Sequence, residues 1–387
     1  MDDLLHWRRE FPILDQTVYL INNSLGAMPR RVYDNLQRYA DIWSSRGIRA
    51  WEEGWWEFSN EIGNILADIL HAPNNTISMH QNVTIAEAIV LSCFDFSGTK
   101  KKIVYCEMNF PSVRYLYQAR IPDGARIEVV TSDDGITIPT EKMVAAIDDD
   151  TLLVPISHVL FKSAYIQDVQ AIIEKAHACD ALVVLDTYQS AGVVPIDVQR
   201  WDVDFVVGGS IKWLCGGPGA AYLYVRPDLG KKLQPRLTGW MAHQAPFAFE
   251  PTMRFTDNIA FKFMNGTPNI PGLYAVKAGY EIIRDVGVEK IRQRSLQLTE
   301  RIVQRAQEYG FGINSPLPPE QRGGTVVVQL PDSQQITREL LRRDFLIDWR
   351  PQAGIRISPH FYNTEDEIDQ LMAEIKQLSE SIHGRPG

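Results

Sequence analysis

Cysteine is scarce in this sequence: four cysteines occur among 387 residues, at positions 93, 106, 179 and 215. None belongs to a CxxC or CxxH pair, so the usual zinc sites and a disulfide framework are both poor expectations. We therefore expect no metal site and a reducing, cytoplasmic location.

Long apolar runs and an excess of basic residues are also missing. No uninterrupted apolar stretch approaches the ~18 residues of a membrane span. The N-terminal stretch MDDLLHWRREFPIL is charged, unlike a secretory signal. The formal net charge is −9, whereas a protein that binds nucleic acid over a broad surface usually has a basic face. We therefore expect no membrane and no nucleic-acid partner.

What the sequence has is an alternation of short apolar runs and amphipathic stretches. The runs at 102–106 (KIVYC), 152–156 (LLVPI) and 181–186 (ALVVLD) lack polar alternation, which is typical of strands buried on both faces of a parallel sheet. Helical patterns at 112–120 and 169–179 separate these strands. This succession indicates an α/β domain, and it continues in two further apolar runs, at 205–208 and 220–225.

The pattern changes after about residue 270, where longer helices and fewer strands indicate a smaller α+β domain. The predicted elements here are a helical stretch at 270–309 that is interrupted near Gly287, a strand at 325–330, a helix at 337–343, another strand and a final helix at 365–381. We place a large domain at 15–283 and a small C-terminal domain at 284–387. Whether residues 1–14 pack on the small domain stays open.

The stretch 182–219 (LVVLDTYQSAGVVPIDVQRWDVDFVVGGSIKWLCGGPG) carries the clearest chemical signal. Asp186 ends one apolar strand, and Lys212 follows the next strand and precedes a glycine-rich turn. Because ligands of open α/β sheets lie beyond the carboxyl ends of the strands, both side chains are expected at one crevice. In pyridoxal phosphate (PLP) enzymes, a lysine forms a Schiff base and an aspartate keeps the pyridine nitrogen protonated. Taken alone, such a pair is more often a helix cap and a surface lysine.

Further segments in a fixed order carry a resemblance to a known family. These are NNSLGAMP (22–29), GIRAWEEGW (47–55), NFPS (109–112), DxxxSAGxxPxD (186–197), KWLCGGPG (212–219), GWMAHQAPFAFEP (239–251) and DWRPQAGIRISP (348–359). Together they resemble the class V aminotransferase superfamily of fold-type I PLP enzymes, and within it most closely the kynureninases. The resemblance implies an aspartate-aminotransferase-like large domain with a mainly parallel sheet, a small α+β domain, PLP as cofactor and an L-α-amino acid as substrate.

The same resemblance implies roles for individual residues. Catalysis falls to Lys212 and Asp186. The implied cofactor-binding residues supply backbone, hydroxyl, amide and aromatic groups: Val83, Thr84, Phe110, Ser157, Asp186, Gln189, Lys212, Trp240 and Thr267. In the family, the residue at the position of Thr267 often comes from the partner subunit. This implies a homodimer with shared active sites.

Several of these residues also have simpler explanations. The first N–H groups of a helix starting after Asn82 suit a phosphate, but an Asn or Thr there is equally a plain N-cap. Phe110 is expected to stack on the pyridine ring, although a core phenylalanine is the commoner case. Ser157 equally suits a bond to local backbone, Trp240 suits interface packing and Thr267 suits a turn.

Arg356, within GIRISP, resembles the arginine that binds the substrate α-carboxylate through two parallel hydrogen bonds. Arg350 is its rival for this role. Asn23 and Ser24 are expected on the substrate side of the pocket. The substrate side chain is left open by the sequence. Five aromatic residues are candidates to surround it, although core packing explains most tryptophans: Trp51, Trp55, Trp56, His243 and Phe247.

Three positions depart from the kynureninase pattern. Ile211 stands where kynureninases carry a tyrosine, Val113 where an aspartate is usual, and Gln189 where a histidine is typical. Hydrolytic cleavage at Cβ needs a positioned acid–base group, which isoleucine does not provide. Transamination does not need this additional acid–base group, because the released lysine moves the proton itself. We therefore expect aminotransferase chemistry through an external aldimine, ahead of kynureninase-like hydrolytic or lyase cleavage at Cβ and of a non-catalytic PLP-binding protein.

Overall fold

The computed structural model describes residues 4–383; residues 1–3 and 384–387, which the predicted domains include, lie outside the described residues. The α-helices are α1 (Arg31–Arg46), α2 (Trp56–Leu70), α3 (Val83–Leu91), α4 (Pro111–Gln118), α5 (Thr140–Ala146), α6 (Val169–Ala178), α7 (Pro227–Lys232), α8 (Ile259–Lys262), α9 (Ile270–Val286), α10 (Val288–Glu308), α11 (Ser333–Arg342) and α12 (Glu365–His383). None of the helices in 4–383 is long and apolar enough to cross a membrane.

The strands form one large sheet and two smaller ones. They are β1 (Val18–Tyr19), β2 (Ile77–His80), β3 (Lys102–Cys106), β4 (Arg126–Val130), β5 (Thr151–Ser157), β6 (Leu182–Asp186), β7 (Phe205–Gly209), β8 (Ala221–Val225), β9 (Gly312–Ile313), β10 (Val326–Gln329), β11 (Phe345–Leu346), β12 (Asp348–Arg350) and β13 (Gly354–Ile357).

The large sheet has seven strands in the order β2-β8-β7-β6-β5-β3-β4. Strands β4, β3, β5, β6 and β7 run parallel to one another, and β8 is antiparallel to both β7 and β2. The prediction of a mainly parallel sheet is confirmed. Because the parallel strands end at the same edge, Asp186 at the end of β6 lies next to the segment after β7 that carries Lys212.

The large sheet is buried on both faces, as its uninterrupted apolar runs predict. Along β3, Val104 and Cys106 contribute to one core, while Ile103 and Tyr105 contribute to another on the opposite face. Helices therefore cover both sides of the sheet, and this arrangement leaves the strand ends as the place for a ligand site.

The long helical stretch predicted at 270–309 is two helices, α9 and α10, that meet at Gly287. Gly287 has φ +86°, a left-handed value that favours glycine and ends α9. The interruption expected from the sequence is thus a sharp break between two helices.

The C-terminal part contains a four-stranded antiparallel sheet in the order β12-β13-β10-β9. Helices α10, α11 and α12 pack on it and share one apolar core with its strands. This is the α+β composition that the sequence indicates, although the boundary at 283/284 stays a prediction.

The N-terminal segment joins both parts of the molecule. Strand β1 pairs in parallel with β11, and Leu20 belongs to the apolar core of the C-terminal part. Phe11 and Leu14 instead belong to the core of the large sheet. Strand β1 and Leu20, which the sequence places at the start of the large domain, thus lie against the C-terminal part. The sequence does not reveal this contact, because a two-residue strand has too little pattern to indicate its distant partner.

Candidate active site

A cavity of about 330 Å³ opens where the strands of the large sheet end. Its walls come from the N-terminus of α3, the segment after β3, the ends of β5 and β6, and the segment after β7. Eight of the predicted site residues line it: Ser24, Val83, Thr84, Phe110, Ser157, Asp186, Gln189 and Lys212. The structure thus brings most of the predicted site together in one place.

The Lys212 amine lies against aromatic rings inside this cavity. Its Nζ is 4.5 Å from the centroid of the Tyr188 ring and 5.8 Å from that of Phe110. Burial lowers the pKa of Lys212 to about 8, and the nearby carboxylate of Asp186 opposes this change. A substantial fraction of the amine is therefore neutral, and so nucleophilic, near physiological pH.

Asp186 is buried at the end of β6. Burial raises its pKa, while the Tyr188 backbone N–H, which donates to Oδ1 at 2.9 Å, and the Lys212 charge act in the opposite direction. Ser157 Oγ is 3.5 Å from Asp186 Oδ2, a weak contact at the limit of a hydrogen bond. A buried carboxylate beside a cation has the chemistry needed to hold a protonated ring nitrogen.

Close backbone packing fixes the segment that carries Lys212. Gly26 donates its N–H to Ile211 O at 2.7 Å, and a Cβ at Gly26 would lie 2.1 Å from Lys212 O. On the other side, a Cβ at Gly279 of α9 would lie 2.3 Å from Leu214 O. Only glycine permits these two approaches, so the lysine extends from a rigid base.

The N-terminus of α3 faces the cavity through Asn82, Val83 and Thr84. The Asn82 side chain caps the helix by accepting from Ile85 N at 3.1 Å. The N–H groups of Val83 and Thr84 have no partner within the helix, because the first turn of a helix leaves its donors free. They remain available to an anion such as a phosphate. The Asn82 cap is therefore compatible with the predicted phosphate site, which stays a prediction.

Phe110 and Gln189 lie on other walls of the cavity. Phe110 is 43% exposed and packs edge-on against Phe161, so it is a cavity wall and not a core residue. Gln189 donates Nε2–H to Asn23 O at 3.1 Å and accepts from Trp213 Nε1 at 3.2 Å. Its second amide hydrogen stays available to a ligand, because the amide group carries two donors.

Arg356 lies beside the cavity in a buried ion pair. Its Nε donates to Asp348 Oδ1 at 2.8 Å, and Nη2 donates to Asp348 Oδ2. Its Nη1 donates at 2.8 Å to the carbonyl of Phe161, a cavity residue, and Nη2 contacts Ser24 Oγ at 3.3 Å. Arg350 is half-exposed, with Nη2 3.1 Å from Asp348 Oδ2. Arg356 is thus the better placed of the two rivals.

Asn23 packs against the Arg356 guanidinium. When its amide nitrogen donates to Ser358 Oγ at 2.9 Å, its oxygen lies 3.0 Å from Arg356 Nε. The amide orientation follows from these partners. Asn23 and Ser24 therefore both lie beside Arg356, and their place on the substrate side of the pocket stays a prediction.

Two predicted cofactor residues lie elsewhere. Within one chain, Trp240 and Thr267 do not reach the cavity; they line a separate surface groove with Trp51, Trp56 and Phe247. The two remaining aromatic candidates are also outside the cavity. Trp55 packs in the core with its Nε1 3.3 Å from Tyr274 OH, and His243 is buried with Nε2 3.3 Å from Thr252 O. Within a single chain, none of the five aromatic candidates lines this cavity.

Sequence reasoning missed three residues that the structure places at the site: Asp348, Tyr188 and Phe161. Asp348 was part of a quoted motif, but its pairing depends on the register in which β12 meets β13. Tyr188 lies within the DTYQ segment, where its spacing from Asp186 was the available signal. Among the described residues, no group of three or more His, Cys, Asp or Glu side chains is arranged to hold a metal ion.

The residues present fit PLP. A reactive amine suits its aldehyde, the buried Asp186 suits its ring nitrogen, an exposed aromatic face at Phe110 suits its ring, and the free N–H groups of α3 suit its phosphate. The cavity volume is within the range of small-molecule sites.

Comparison with known proteins decides the family. The model of the family described as Aminotransferase class-V matches residues 18–371. The chain belongs to this family of enzymes. Kynureninase from Bacillus thuringiensis subsp. konkukian (strain 97-27) is 30% identical over 97% of this chain and 92% of its own length. The uncharacterized aminotransferase YcbU of Bacillus subtilis (strain 168) is 31% identical over 97% of this chain and 98% of its own. The predicted resemblance is confirmed.

Solved structures show the same fold. The apo cysteine desulfurase of Thermococcus onnurineus NA1 has a TM-score of 0.85 at 20% identity, covering 97% of this chain and 98% of the other. A mutant of C-DES with glycine covalently linked to its PLP cofactor has a TM-score of 0.86 at 20% identity, covering 95% and 98%. The predicted fold-type I architecture is thereby confirmed for this class-V enzyme.

Proposed function

We propose that this class-V enzyme uses PLP to transform an L-α-amino acid, with aminotransferase chemistry as the main reaction. The observation that carries the proposal is the pairing of the Lys212 amine and the Asp186 carboxylate in one cavity with the free N–H groups of α3. PLP is the cofactor, and when bound it supplies an electron sink for the charge that develops at the substrate Cα.

The protein residues have separate tasks in this reaction. Arg356 holds the substrate carboxylate, and its contacts with Asp348 and Phe161 O fix the plane of the guanidinium. Lys212 Nζ would take the proton from the substrate Cα and deliver it to the carbon of the PLP aldehyde group, for which a pKa near 8 is well matched. Asp186 holds a proton at the ring nitrogen.

Transamination is favoured over cleavage at Cβ by the residues near the lysine. Ile211 and Val113 both line the cavity, and neither side chain exchanges a proton. A reaction that needs only the lysine as proton carrier is compatible with these apolar walls. Hydrolytic cleavage needs a further acid–base group at this location.

The test is a product analysis with a panel of L-amino acids. The protein loaded with PLP is incubated with each amino acid, and pyridoxamine phosphate and released alanine are quantified. Transamination forms pyridoxamine phosphate in amounts equal to the oxo acid. Alanine plus anthranilate from kynurenine, without pyridoxamine phosphate, contradicts the proposal. Lys212→Ala is expected to abolish both the Schiff-base absorption and turnover, while the matched variant Lys232→Ala, at a 74% exposed lysine, leaves both unchanged.

Kynureninase-like cleavage at Cβ is the second candidate. Its support is the 30% identity to kynureninases over nearly the whole chain, together with the Tyr188 phenol, a proton-bearing group in the cavity. Ile211→Tyr restores the residue that kynureninases carry at this position. If cleavage is the native reaction, this variant increases the release of alanine from kynurenine.

A homodimer with shared sites is part of the proposal. Trp240 and Thr267 line an exposed aromatic groove away from their own cavity, and Phe247 in this groove is 63% exposed. Burying this groove against a second copy brings Thr267 toward the partner's phosphate site. We also propose a cytoplasmic location, since all four cysteines are free thiols and three of them are buried.

A further inference from the structure

Two consecutive glycines at the end of β7 make room for tyrosine rings. A Cβ at Gly209 would lie 2.3 Å from Tyr188 Cζ and 2.4 Å from its hydroxyl oxygen. A Cβ at Gly208 would lie 2.2 Å from Tyr222 OH. Any other residue at Gly209 thus displaces the Tyr188 ring from its present position.

The ring that Gly209 admits lies under the Lys212 amine. Tyr188 approaches Nζ to 4.5 Å from its centroid, well inside the ~6 Å range in which an aromatic face attracts an ammonium group. The Tyr188 backbone is fixed as well, because its N–H donates to Asp186 Oδ1 at 2.9 Å. The ring and the backbone of Tyr188 therefore both contact strands of the large sheet, at Gly209 of β7 and Asp186 of β6.

We propose that Tyr188 is a positioning residue for Lys212: its aromatic face orients the amine and stabilises the ammonium form, in the space that Gly209 leaves open. The inference rests on the proposed function, since it concerns the lysine that receives the cofactor. The contact itself exists in the protein alone, so it is measurable without PLP.

The ring acts among several charged groups. Asp186 from β6, Asp348 and Arg350 from β12, and Arg356 from β13 all influence the Lys212 amine. Tyr188 differs from them in that its side chain is uncharged at neutral pH, since burial raises the pKa of its phenol to about 12. Replacing the ring with another uncharged side chain leaves these four charges in place.

Three variants distinguish the effect of the Tyr188 aromatic ring on the Lys212 amine from the effects of its hydroxyl group and of apolar bulk. Tyr188→Phe keeps the aromatic face, Tyr188→Leu keeps an apolar side chain without that face, and Tyr222→Phe alters the neighbouring tyrosine over Gly208. Competitive acetylation of the cofactor-free protein with acetic anhydride, read by peptide mass spectrometry, gives the pH midpoint of Lys212. The 74% exposed Lys232 serves as internal reference.

Loss of the aromatic face lowers this midpoint, because the ammonium form loses a stabilising contact while burial remains. We expect Tyr188→Leu to lower the midpoint by about 0.5 to 1.5 pH units. Tyr188→Phe and Tyr222→Phe are expected to match the wild type. An unchanged midpoint in Tyr188→Leu overturns the proposal, and so does a decrease of equal size in Tyr188→Phe, since the hydroxyl would then be responsible.

Gly209→Ala provides a second route that leaves Tyr188 in the sequence. The new Cβ pushes the ring away, so the midpoint is expected to fall as in Tyr188→Leu. In a Tyr188→Ala background, where no ring remains to be displaced, Gly209→Ala is expected to have no further effect. An equal effect of Gly209→Ala in both backgrounds overturns the proposal. Because every measurement uses the cofactor-free protein, the result is independent of whether PLP binds or which reaction follows.

Discussion

Asp348 and Arg356 face each other across strands β12 and β13, and the arginine donates to both oxygens of the carboxylate. Arg350 contacts the same carboxylate at 3.1 Å. Two guanidinium groups share one negative charge, so a net positive charge remains beside the cavity. The pair thus orients Arg356 without cancelling the charge that a substrate carboxylate needs.

The geometry of Arg356 leads to a prediction for substrate affinity. Arg356→Lys keeps the charge but loses the planar guanidinium that Asp348 orients, so KM for amino acids is expected to increase about 10- to 100-fold, with a smaller effect on kcat. Arg350→Lys is the matched control, and a smaller increase is expected because Arg350 is half-exposed. Steady-state kinetics measures both. A larger effect at Arg350 would transfer the carboxylate role to that residue.

The same ion pair predicts a dependence of stability on Asp348. Asp348→Ala leaves a buried guanidinium without its carboxylate, and we expect the free energy of unfolding to fall by about 3 kcal/mol. The double variant Asp348→Ala/Arg356→Met is expected to lose less than Asp348→Ala alone, because the unpaired charge is also removed. Urea denaturation followed by circular dichroism measures the difference. A double variant that is less stable than both single variants would contradict this explanation.

The pKa of Asp348 gives the pH dependence of this contribution. Burial by itself would raise the pKa, but the hydrogen bonds and charge of Arg356 hold it below its usual value. A carboxyl group of this kind stabilises the fold above its unfolded pKa of about 3.9 and loses that contribution as the pH falls through its lower folded value. The stability difference between wild type and Asp348→Asn is therefore expected to shrink below about pH 4. A difference that is constant down to pH 3 would show that the charge is not responsible.

Cofactor capture is expected to depend on the pKa of Lys212. Because only the neutral amine attacks an aldehyde, the rate at which the cofactor-free protein captures PLP should rise as the pH increases toward about 8 and level off above it. Stopped-flow absorbance measures this rate. A rate that keeps rising to about pH 10, as for an ordinary lysine, would show that the amine is not desolvated.

The N-terminus of α3 predicts the location of the phosphate. Thr84→Val removes a hydroxyl from the cavity wall and is expected to weaken PLP affinity about 10-fold, the effect of one hydrogen bond to a charged group. Thr140→Val, at the first residue of α5, is the matched control and lies outside the cavity lining. Equilibrium dialysis with PLP and with inorganic phosphate measures the affinities. Equal losses for both variants would contradict a specific phosphate contact.

Shared sites in a dimer predict complementation between two defective chains. A Lys212→Ala chain still supplies Thr267, and a Thr267→Ala chain still supplies Lys212, so a mixed dimer contains one intact site. Random mixing is expected to restore native cofactor affinity and turnover at about a quarter of the sites. Native mass spectrometry confirms that mixed dimers form. Mixed dimers without any recovery would show that each site is built from one chain.

The elements of the large sheet were predictable because their patterns are local. The runs at 102–106 and 181–186 lie within one residue of β3 and β6, since buried parallel strands are continuous apolar segments. The meeting of Asp186 and Lys212 followed from the same reasoning, because parallel strands end at one edge. Roles for the individual site residues stay predictions.

The missed contacts all depend on distant parts of the chain. Asp348 meets Arg356 through a strand register, and Tyr188 reaches Lys212 only because Gly209 has no side chain. Neither condition is visible in a local pattern.

Trp240 was assigned to the cofactor site from a motif. A motif does not indicate whether the residue lies at the cavity of its own chain or at the cavity of a partner chain.

The segment between β1 and Gly26 determines how much chain length the site tolerates. Leu20 donates its N–H to Leu346 O in the C-terminal part, and Gly26 donates its N–H to Ile211 O, next to Lys212. Six Cα–Cα steps therefore separate Leu20 from Gly26, a distance of at most about 20 Å when extended. An insertion or deletion here is therefore expected to change the spacing between Arg356 and Lys212. Asn22 and Asn23 in this segment are buried. Residues 21–25 are thus a packed connection in which, unlike in most loops, a change of length is a change of geometry at the cavity.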